Sequence, residues 1–312
     1  MDFLVNFLRR STAVRDKVDI RKAYRQAVPT LGTGIRIGDD CAAIPDGAGG
    51  HLLFAGEAMN DAFVADEPWF AGYSAVMVNI NDICAMGGRP TAIVDMLWSP
   101  SYQGLEPVWD GMRAASRDYA VPIVGGHTTI AKDRPGVGIA ASVLGRADAL
   151  LTTFDARPGD AIVMAVDLNG AYHGQNPFWN ASSDSGSERL QRNIALLPEI
   201  AEQGWSGACR DISNGGIVGT LIMMLECSGV GARLDLGRLP MPPGIDLGKW
   251  LISFPSFGFL FAVTPEWSAR VKKHFRDRDI DCRTVGEFTE TRALDLTLDG
   301  ETRTFWTCPK GT

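Results

Sequence analysis

The acidic stretch at residues 37–45, IGDDCAAIP, constrains this chain most, because it places two adjacent carboxylates, Asp39 and Asp40, between a glycine and an apolar run. Two carboxylates on a tight turn are costly unless water or a hard cation satisfies them. Magnesium in proteins uses one or two carboxylates and fills its remaining positions with waters and phosphate oxygens. The stretch therefore favours a magnesium site that receives a nucleoside triphosphate. A solvated Asp-Asp turn is the alternative.

The composition restricts the class of protein. A chain of 312 residues with 45% hydrophobic residues is long enough for two domains with separate cores. Its net charge of -7, with no basic stripe, argues against a nucleic-acid partner. No apolar run approaches the roughly 20 residues that span a bilayer, and the N-terminus lacks the pattern of a signal peptide. We therefore expect a cytoplasmic protein with neither a nucleic-acid nor a membrane partner. Six scattered cysteines suggest neither a zinc site nor a disulfide framework.

The N-terminal segment predicts two helices, over residues 2–10 and 12–27. The second carries a basic face of Lys17, Arg21, Lys22 and Arg25. Such a face is usually solvated, and the functional alternative is that one of these residues folds over the triphosphate. The glycine-rich residues 29–38 predict a mobile loop that could act as a lid.

A second polar feature lies in the apolar helix predicted over residues 69–86. It contains Asn79, Asn81 and Asp82, and polar side chains on a buried helix must be paired or bind something. Contact with a metal or phosphate through Asp82 is the favoured interpretation, and a structural hydrogen-bond cluster is the alternative. The strand predicted at 51–56 delivers Glu57 to its end, where loops position chemistry.

The third feature follows the strand predicted at residues 121–124, which runs into Gly125, Gly126, His127, Thr128 and Thr129. Paired glycines let backbone N–H groups approach an anion, and hydroxyls can reach a phosphate or a metal-bound water. A simple turn is the alternative. His127 is either a hydrogen-bond donor to phosphate or a structural histidine.

A turn-rich break at residues 155–160 puts the domain boundary near Leu150, which divides the chain into domains 1–150 and 151–312. Alternating strand and helix patterns favour an α/β or α+β sheet architecture. In the second domain, Asp211, Ser213 and Gly215 precede an apolar helix predicted at 217–227, where free N–H groups make an anion site. Ordinary capping by Ser213 or Asn214 is the alternative.

These stretches resemble the superfamily of aminoimidazole ribonucleotide synthetase, thiamine-monophosphate kinase, selenophosphate synthetase and the hydrogenase-maturation carbamoyl dehydratase. IGDDCAAI is similar to the family's GDD loop, and VNINDICAMGGRP to its N-x-x-D-I-x-A-M-G helix. VGGHTT resembles its GGD/GGH-T loop, and DISNGGIVGTLIMMLECSGVGARLDLGRLP its second-domain helix and following strand. Each motif is weak alone, but their order and spacing make the set strong over nearly the whole length.

The resemblance implies an α+β, two-domain aminoimidazole ribonucleotide synthetase-like fold. The N-terminal domain would bind ATP and Mg²⁺ and pair with a second copy in a dimeric β-barrel. The C-terminal α/β domain would close the active-site cleft. Asp40 and Asp211 would be catalytic. Magnesium would be held by Asp39, Asp40, Glu57, Asp82 and Asp211, with Glu57 standing where relatives carry Asp. The nucleotide would be bound by Gly38, Asn79, Gly125, Gly126, His127, Thr128, Ser213 and Gly215.

Departures from the family patterns mark a divergent branch. His127 stands where thiamine-phosphate kinases carry Asp, and residues 254–258, FPSFG, replace the kinase's G-E-D-Y. The reactive Cys of selenophosphate synthetases and the C-terminal Pro-Arg-Ile-Cys of the dehydratase have no match. The expected function is magnesium-dependent phosphoryl transfer from ATP to an oxygen of a small-molecule acceptor that the sequence does not identify. The alternative is an inactive nucleotide-binding regulatory or scaffold subunit.

Overall fold

The computed structural model describes residues 1–24, 34–174 and 176–308, and of residues 19–24 it describes the backbone alone. The predicted extension of the second helix to Ala27, the side chains of Arg21, Lys22 and Arg25, and residues 29–33 of the predicted lid loop therefore lie outside the described residues. Within the described ranges, no helix combines the length and apolar character that crossing a membrane requires.

The chain alternates helices and strands throughout. The helices are α1 (Asp2–Arg10), α2 (Thr12–Tyr24), α3 (Asp61–Asp66), α4 (Pro68–Ala85), α5 (Tyr102–Tyr119), α6 (Ser187–Ile194), α7 (Leu196–Glu202), α8 (Gly216–Ser228), α9 (Leu247–Leu251) and α10 (Pro265–Arg276). The strands are β1 (Ala42–Pro45), β2 (His51–Ala58), β3 (Arg89–Ser99), β4 (Ile123–Ile130), β5 (Gly138–Ala147), β6 (Ala161–Val166), β7 (Ala171–Tyr172), β8 (Phe178–Asn180), β9 (Ala208–Asp211), β10 (Gly231–Asp235), β11 (Phe254–Pro255), β12 (Gly258–Val263), β13 (Asp281–Thr289), β14 (Ala293–Leu298) and β15 (Glu301–Thr307).

These elements form two compact units. The first contains residues 1–40, 150–181 and 199–312, and the second contains residues 41–149 and 182–198. Both units mix helices with mainly antiparallel sheets, which confirms the predicted α+β class. Helices α1 and α2 belong to the same unit as most of the C-terminal half of the sequence. The roles assigned to the two predicted domains remain a prediction.

The first unit is built on a seven-stranded sheet with the order β15-β14-β10-β13-β6-β12-β9, in which only β10 and β14 are parallel neighbours. Strands β6 and β12 are almost entirely apolar and buried, as expected for central strands covered on both faces. Helix α8 packs its buried side chains into the same core, together with Val5, Leu8 and Val14 of α1 and α2. A small sheet, β11-β8-β7, adjoins this core.

The second unit has a five-stranded sheet with the order β1-β2-β5-β3-β4. Strand β2 alternates, so that Leu53 and Ala55 are buried while Leu52 and Phe54 are exposed. This alternation shows that helices cover one face of the sheet only. Helix α4 is buried on nearly every side, which explains its continuous apolar sequence.

Two predicted boundaries in this unit are wrong. Strand β2 continues to Ala58 and pairs Glu57 with Ala141, so Glu57 is the penultimate residue of the strand and not the first residue after it. The predicted loop from Gly125 to Thr129 is part of strand β4, because parallel pairing with β3 continues through Ile130. Glycines lower strand propensity, and here the ladder with β3 overrides that local preference.

Helices α4 and α5 approach each other through two glycines. A Cβ atom on Gly72 would lie 2.1 Å from the carbonyl oxygen of Val108, and one on Gly111 would lie 1.8 Å from that of Trp69. Both contacts are with backbone atoms, which cannot turn aside. The close packing of the two helices therefore requires glycine at both positions.

We predict that Gly72→Ala destabilises the protein by about 1–3 kcal/mol, the usual cost of overpacking. The sign is informative, since alanine is otherwise favoured over glycine in a helix by about 1 kcal/mol. The free energy of unfolding, measured in urea, checks it. Gly136→Ala is the matched control, because a Cβ there meets nothing within 4 Å. Equal stabilities of the two variants would contradict the close approach.

Candidate functional site

A sharp turn joins strand β9 to helix α8 in the first unit. Gly215 and Gly216 have φ angles of 92° and 63°, the left-handed region that favours glycine. A Cβ on Gly216 would also lie 2.3 Å from the carbonyl oxygen of Leu251. Gly215 is the N-cap of α8, and among the residues that the structure describes no side chain caps the helix. Capping by Ser213 or Asn214 is therefore wrong, and the first turn of α8 leaves backbone N–H groups for another partner.

Arg210, the penultimate residue of β9, connects this turn to the Asp-Asp loop. Its Nη2 lies 2.8 Å from Oδ1 of Asp40, and the two side chains are 6% and 2% exposed. Its Nη1 donates to the carbonyl oxygen of Gly38 at 3.1 Å and to Oγ1 of Thr153 at 3.0 Å. A buried guanidinium with three such acceptors is held in one orientation. It fixes the loop beside Asp211.

Asp39 shapes the loop from within. Its carboxylate accepts hydrogen bonds from the backbone N–H of Asp40 and from the backbone N–H of Thr153, each at 3.1 Å, and from the Thr153 hydroxyl. Gly38 has a φ of 120°, which a side chain would strain. These bonds turn Asp40 toward the strand that carries Asp211.

The carboxylates of Asp40 and Asp211 approach each other, with oxygens within 4.8 Å. Burial raises the pKa of Asp40 well above its ordinary value and outweighs the opposing effect of Arg210. Burial likewise raises the pKa of Asp211 against the attraction of Arg210 and Lys17, and it raises the pKa of Asp39. Three buried carboxylates thus have two cations beside them. The cluster favours taking up further positive charge, either a proton or a metal ion.

This donor set fits a magnesium ion. Oδ2 of Asp40 is buried and has no hydrogen-bond partner among the residues that the structure describes. Carboxylate oxygens are the ligands that Mg²⁺ prefers, and a divalent charge offsets the excess of carboxylates. Asp40 and Asp211 of this unit could hold the ion directly, with Asp39 bonded behind them. Because burial raises the pKa of the neighbouring Cys227 thiol to about 11, this thiol is protonated at neutral pH and is a poor nucleophile.

Helix α2 adds a second cation to the turn. Nζ of Lys17 donates to Oγ of Ser213 at 3.0 Å. The hydroxyl of Thr220 braces the same turn, as it accepts from the backbone N–H of Ser213 and donates to the carbonyl oxygen of Asp211, each at 3.3 Å. In the first unit, the structure thus brings together the predicted residues Gly38, Asp39, Asp40, Asp211, Ser213 and Gly215.

The other predicted residues lie in the second unit on three elements. Asn79 and Asp82 are buried and lie one turn apart on the same face of α4. Nδ2 of Asn79 donates to the carbonyl oxygen of Ala75 at 2.8 Å, which is a structural bond within the helix. Glu57 is exposed on β2, and the exposed edge strand β4 carries Gly125, Gly126, His127 and Thr128.

Sequence analysis missed Arg210 and Thr153, which build the first unit's cluster. Arg210 had a signal, since it is a charge inside the otherwise apolar approach to Asp211, in a strand that is buried throughout. A buried cation next to a carboxylate motif indicates an internal ion pair. Thr153 had none, because a threonine in a loop is common and its partner Asp39 is 114 residues away.

Comparison with known sequences assigns the family. Residues 38–147 match the AIR synthase related protein, N-terminal domain, and residues 157–299 match the AIR synthase related protein, C-terminal domain. A protein of Synechocystis sp., described only as uncharacterized, is 42% identical over 307 residues, which is 97% of this chain and 94% of the relative. The chain belongs to the AIR synthase related protein family.

This AIR synthase related protein is also similar to a selenide, water dikinase in sequence and to PurL in structure. The selenide, water dikinase of Aeromonas hydrophila is 27% identical over 254 residues, which cover 74% of this chain and 70% of that protein. The structure of PurL of T. maritima complexed with ATP superposes with a TM-score of 0.73 at 22% identity, over 90% of this chain and 47% of that chain. The chain thus spans about half of PurL, and the likeness shows the fold. Both the resemblance and the two-domain fold read from the sequence are confirmed.

The pKa directions of the cluster predict how Asp211→Asn changes stability in metal-free buffer. A carboxyl whose pKa is raised in the folded state contributes most stability below its unfolded pKa, and loses it as pH rises through the folded pKa. We expect the variant of this AIR synthase related protein to gain stability over wild type from about pH 4 upward. Urea unfolding with EDTA at pH 4 and pH 7 measures the difference.

The control for this prediction is Asp277→Asn, because hydrogen bonding to Lys273 lowers the pKa of that exposed carboxyl. Its pH dependence has the opposite sign, with any stabilisation present at neutral pH and lost as the solution becomes acidic. If Asp211→Asn were less stable than wild type at pH 7, attraction to the two cations would outweigh burial, contrary to the expected balance.

Proposed function

We propose that this protein is a magnesium-dependent, ATP-using enzyme that transfers a phosphoryl group to an oxygen of a small-molecule acceptor, or activates that oxygen. The observation that carries the proposal is the buried cluster of Asp40 and Asp211 beside the uncapped first turn of α8. Carboxylates for a metal and free N–H groups for an anion are the two elements that a metal-bound polyphosphate needs. The ATP bound by the similar structure of PurL supports the same class of ligand.

The roles follow from these contacts. Asp40 and Asp211 are proposed as the residues that hold the metal at the reacting phosphate, with Asp39 completing the metal site from the loop. Gly38, Ser213 and Gly215 are proposed to face the nucleotide through backbone groups and a hydroxyl. For the second unit, the family resemblance supports Glu57 and Asp82 as metal ligands. It also supports nucleotide contacts by Asn79, Gly125, Gly126, His127 and Thr128.

Phosphoryl transfer needs little covalent help from a protein, since alignment and neutralisation of charge supply most of the rate enhancement. When bound, Mg²⁺ supplies positive charge to the phosphate oxygens. Arg210 holds the Asp40 carboxylate in place, and Thr153 holds that of Asp39. The N–H groups at the start of α8 can stabilise negative charge without reorganising. The buried Cys227 thiol, whose pKa burial raises, is not proposed as a nucleophile in this transfer.

The first test is calorimetry of ATP binding in the presence of Mg²⁺. We expect Asp40→Asn to weaken binding at least tenfold, because it removes one charged metal ligand. The variant also leaves Arg210 without its buried partner and should be less stable, so circular dichroism must show that it is still folded at the temperature of the titration. Asp277→Asn removes an exposed carboxylate of the first unit and should bind as wild type does. Unchanged affinity in Asp40→Asn would contradict the metal site.

Turnover distinguishes the proposal from its alternative, a nucleotide-binding regulatory or scaffold subunit. Incubation with ATP, Mg²⁺ and pools of small metabolites should release ADP or phosphate from wild type, and Asp211→Asn should lose that release. Tight ATP binding without any release, over all pools, would favour the scaffold. The observation that favours the scaffold is FPSFG at residues 254–258. It stands where the similar kinases carry the charged residues of G-E-D-Y on the expected substrate side.

We also propose that the protein is a homodimer in which the sheets of two copies form a shared barrel. The open face of the five-stranded sheet supports this, because apolar side chains cover it where polar ones are usual. Ala42 pairs with Phe54, Phe54 with Leu144, and Leu144 with Ala92, so this row crosses four strands. Phe54 is 50% exposed and Leu144 39%.

We predict that Phe54→Asp gives a monomer in analytical ultracentrifugation at micromolar concentration, since a charge on this face opposes burial. Phe3→Asp is the matched control. It makes the same substitution at a residue that is 86% exposed on α1 of the other unit, and it should leave the oligomeric state unchanged. A Phe54→Asp protein that sediments with wild type would contradict the barrel.

A further inference from the structure

Asp95 is a buried carboxylate of the second unit to which the proposed roles assign no function. It lies in β3 on the helix-covered face of the five-stranded sheet and is 2% exposed. Its neighbours on the same face of the strand, Ile93 and Leu97, are 0% and 1% exposed. Among the residues that the structure describes, none donates a hydrogen bond to this carboxylate or forms an ion pair with it. Asp95 is therefore a polar group in an apolar core that lacks a partner within the described chain.

Such a carboxylate is costly to the folded protein. Burial raises the pKa of Asp95, and no donor or cation among the described residues opposes this effect. Protonation would remove the charge, but it would leave a buried hydroxyl without an acceptor. Both forms of the side chain thus need a polar partner. Buried groups of this kind occur mainly at sites where a ligand supplies that partner.

Asp95 belongs to a row of four paired residues on this face of the sheet. It pairs with Ala141 of β5 on one side and with Gly126 of β4 on the other, and Ala141 pairs in turn with Glu57 of β2. Because strands lie about 4.8 Å apart, the backbone of Asp95 is roughly 10 Å from that of Glu57 and roughly 5 Å from that of Gly126. Glu57 is proposed to hold a metal ion and Gly126 to contact the nucleotide. Asp95 lies between them in the row.

Gly126 leaves the carboxylate accessible from the edge of the sheet. A Cβ at this position would lie 2.6 Å from Oδ1 of Asp95, so the carboxylate occupies space that a side chain would need. Gly126 is exposed, and so is Thr128, which lies two residues further along the same face of the edge strand β4. A ligand that lies along this edge can therefore approach Oδ1 of Asp95 without displacing a side chain of Gly126.

A carboxylate beside a phosphate is repelled by it unless a proton lies between the two. In phosphoryl transfer, an acceptor hydroxyl brings such a proton and loses it as its oxygen attacks phosphorus. We propose that Asp95 is the general base that receives this proton, and that the acceptor is an alcohol. The inference rests on the proposed function and narrows its substrate class. A carboxylate or carboxamide oxygen carries no proton and would leave Asp95 without a partner.

The proposed step needs no further reactant. The acceptor oxygen forms a bond to the γ-phosphorus of ATP, while the bond from this phosphorus to the β,γ-bridging oxygen breaks and ADP leaves with the electron pair. The hydroxyl proton passes to Oδ1 of Asp95 and is released to solvent after the products leave. A carboxylate whose pKa is raised by burial is a stronger base than an exposed one, which suits this task.

Turnover of MgATP with two pools of defined chemistry tests the inference. One pool contains polyols, nucleosides and amino alcohols, the other contains carboxylates and carboxamides without hydroxyl groups, and the release of ADP is measured above the rate without a pool. We expect wild type to be active with the alcohol pool alone. Asp95→Asn keeps the shape of the side chain but cannot take up the proton. It should lower kcat about 100-fold or more, with a KM for MgATP within about twofold of wild type.

Two further variants complete the experiment. Asp95→Ser is smaller than Asp95→Asn and should lose kcat to a similar extent, so it replaces that variant if circular dichroism shows Asp95→Asn to be unfolded. Asp110→Asn is the matched control, since it makes the same substitution at a carboxylate that is 58% exposed on α5 of the same unit. Its kcat and KM should equal those of wild type.

A structural Asp95 would give a different result. The folded variants would then differ from wild type in their free energy of unfolding and retain its kcat with alcohols, and that outcome overturns the inference. Turnover with the carboxylate and carboxamide pool alone also overturns it, while the proposed function stands. Release of ADP with neither pool would contradict the proposed function and this inference together.

Discussion

The ion pair between Arg210 and Asp40 is the interaction on which the first unit's site depends. It joins residues 170 positions apart in sequence, and both side chains are buried. Removing either partner of a buried pair typically costs about 3–5 kcal/mol, because the other charge is left without compensation. The same guanidinium holds the Gly38 carbonyl and the Thr153 hydroxyl, so the loop cannot shift without breaking several bonds. The approach of Asp40 to Asp211 follows from this fixed loop.

Even with this ion pair, the cluster has more carboxylates than cations. This excess of negative charge is the feature that indicates a cationic ligand. Burial raises the pKa of Asp39, Asp40 and Asp211 although two cations lie beside them. Native structures rarely bury carboxylates that are not fully compensated, and such groups occur mainly at sites where a ligand supplies the missing charge. A metal-bound phosphate brings a divalent cation for the carboxylates and an anion for the start of α8. One ligand therefore satisfies both halves of the turn.

The second unit shows a different incomplete surface. Its helices pack on one face of the sheet so closely that Gly72 and Gly111 admit no side chain. On the other face, Phe54 and Leu144 lie side by side in water. Helices bury one face of this sheet, whereas the apolar side chains of the other face are exposed to solvent. The open apolar face is the observation that supports the proposed homodimer.

Sequence alone determined the family and the α+β class, and it predicted most elements and a metal-bound phosphate as ligand. Periodicity predicted the bounds of α1 to the residue, and the adjacent Asp39 and Asp40 indicated a cation before any contact was known. Only the tertiary structure decided which groups bond to those carboxylates and compensate their charge. Thr153 and Lys17 reach them across 114 and 194 residues, and a local pattern contains no information about such partners. The tertiary structure also decided that Gly125–Thr129 extends a strand and that Gly215 is the N-cap of α8 with no capping side chain among the described residues. Ladder pairing and backbone packing override local preference at these positions. A sequence specifies which charges must be compensated, while the fold selects the groups that compensate them.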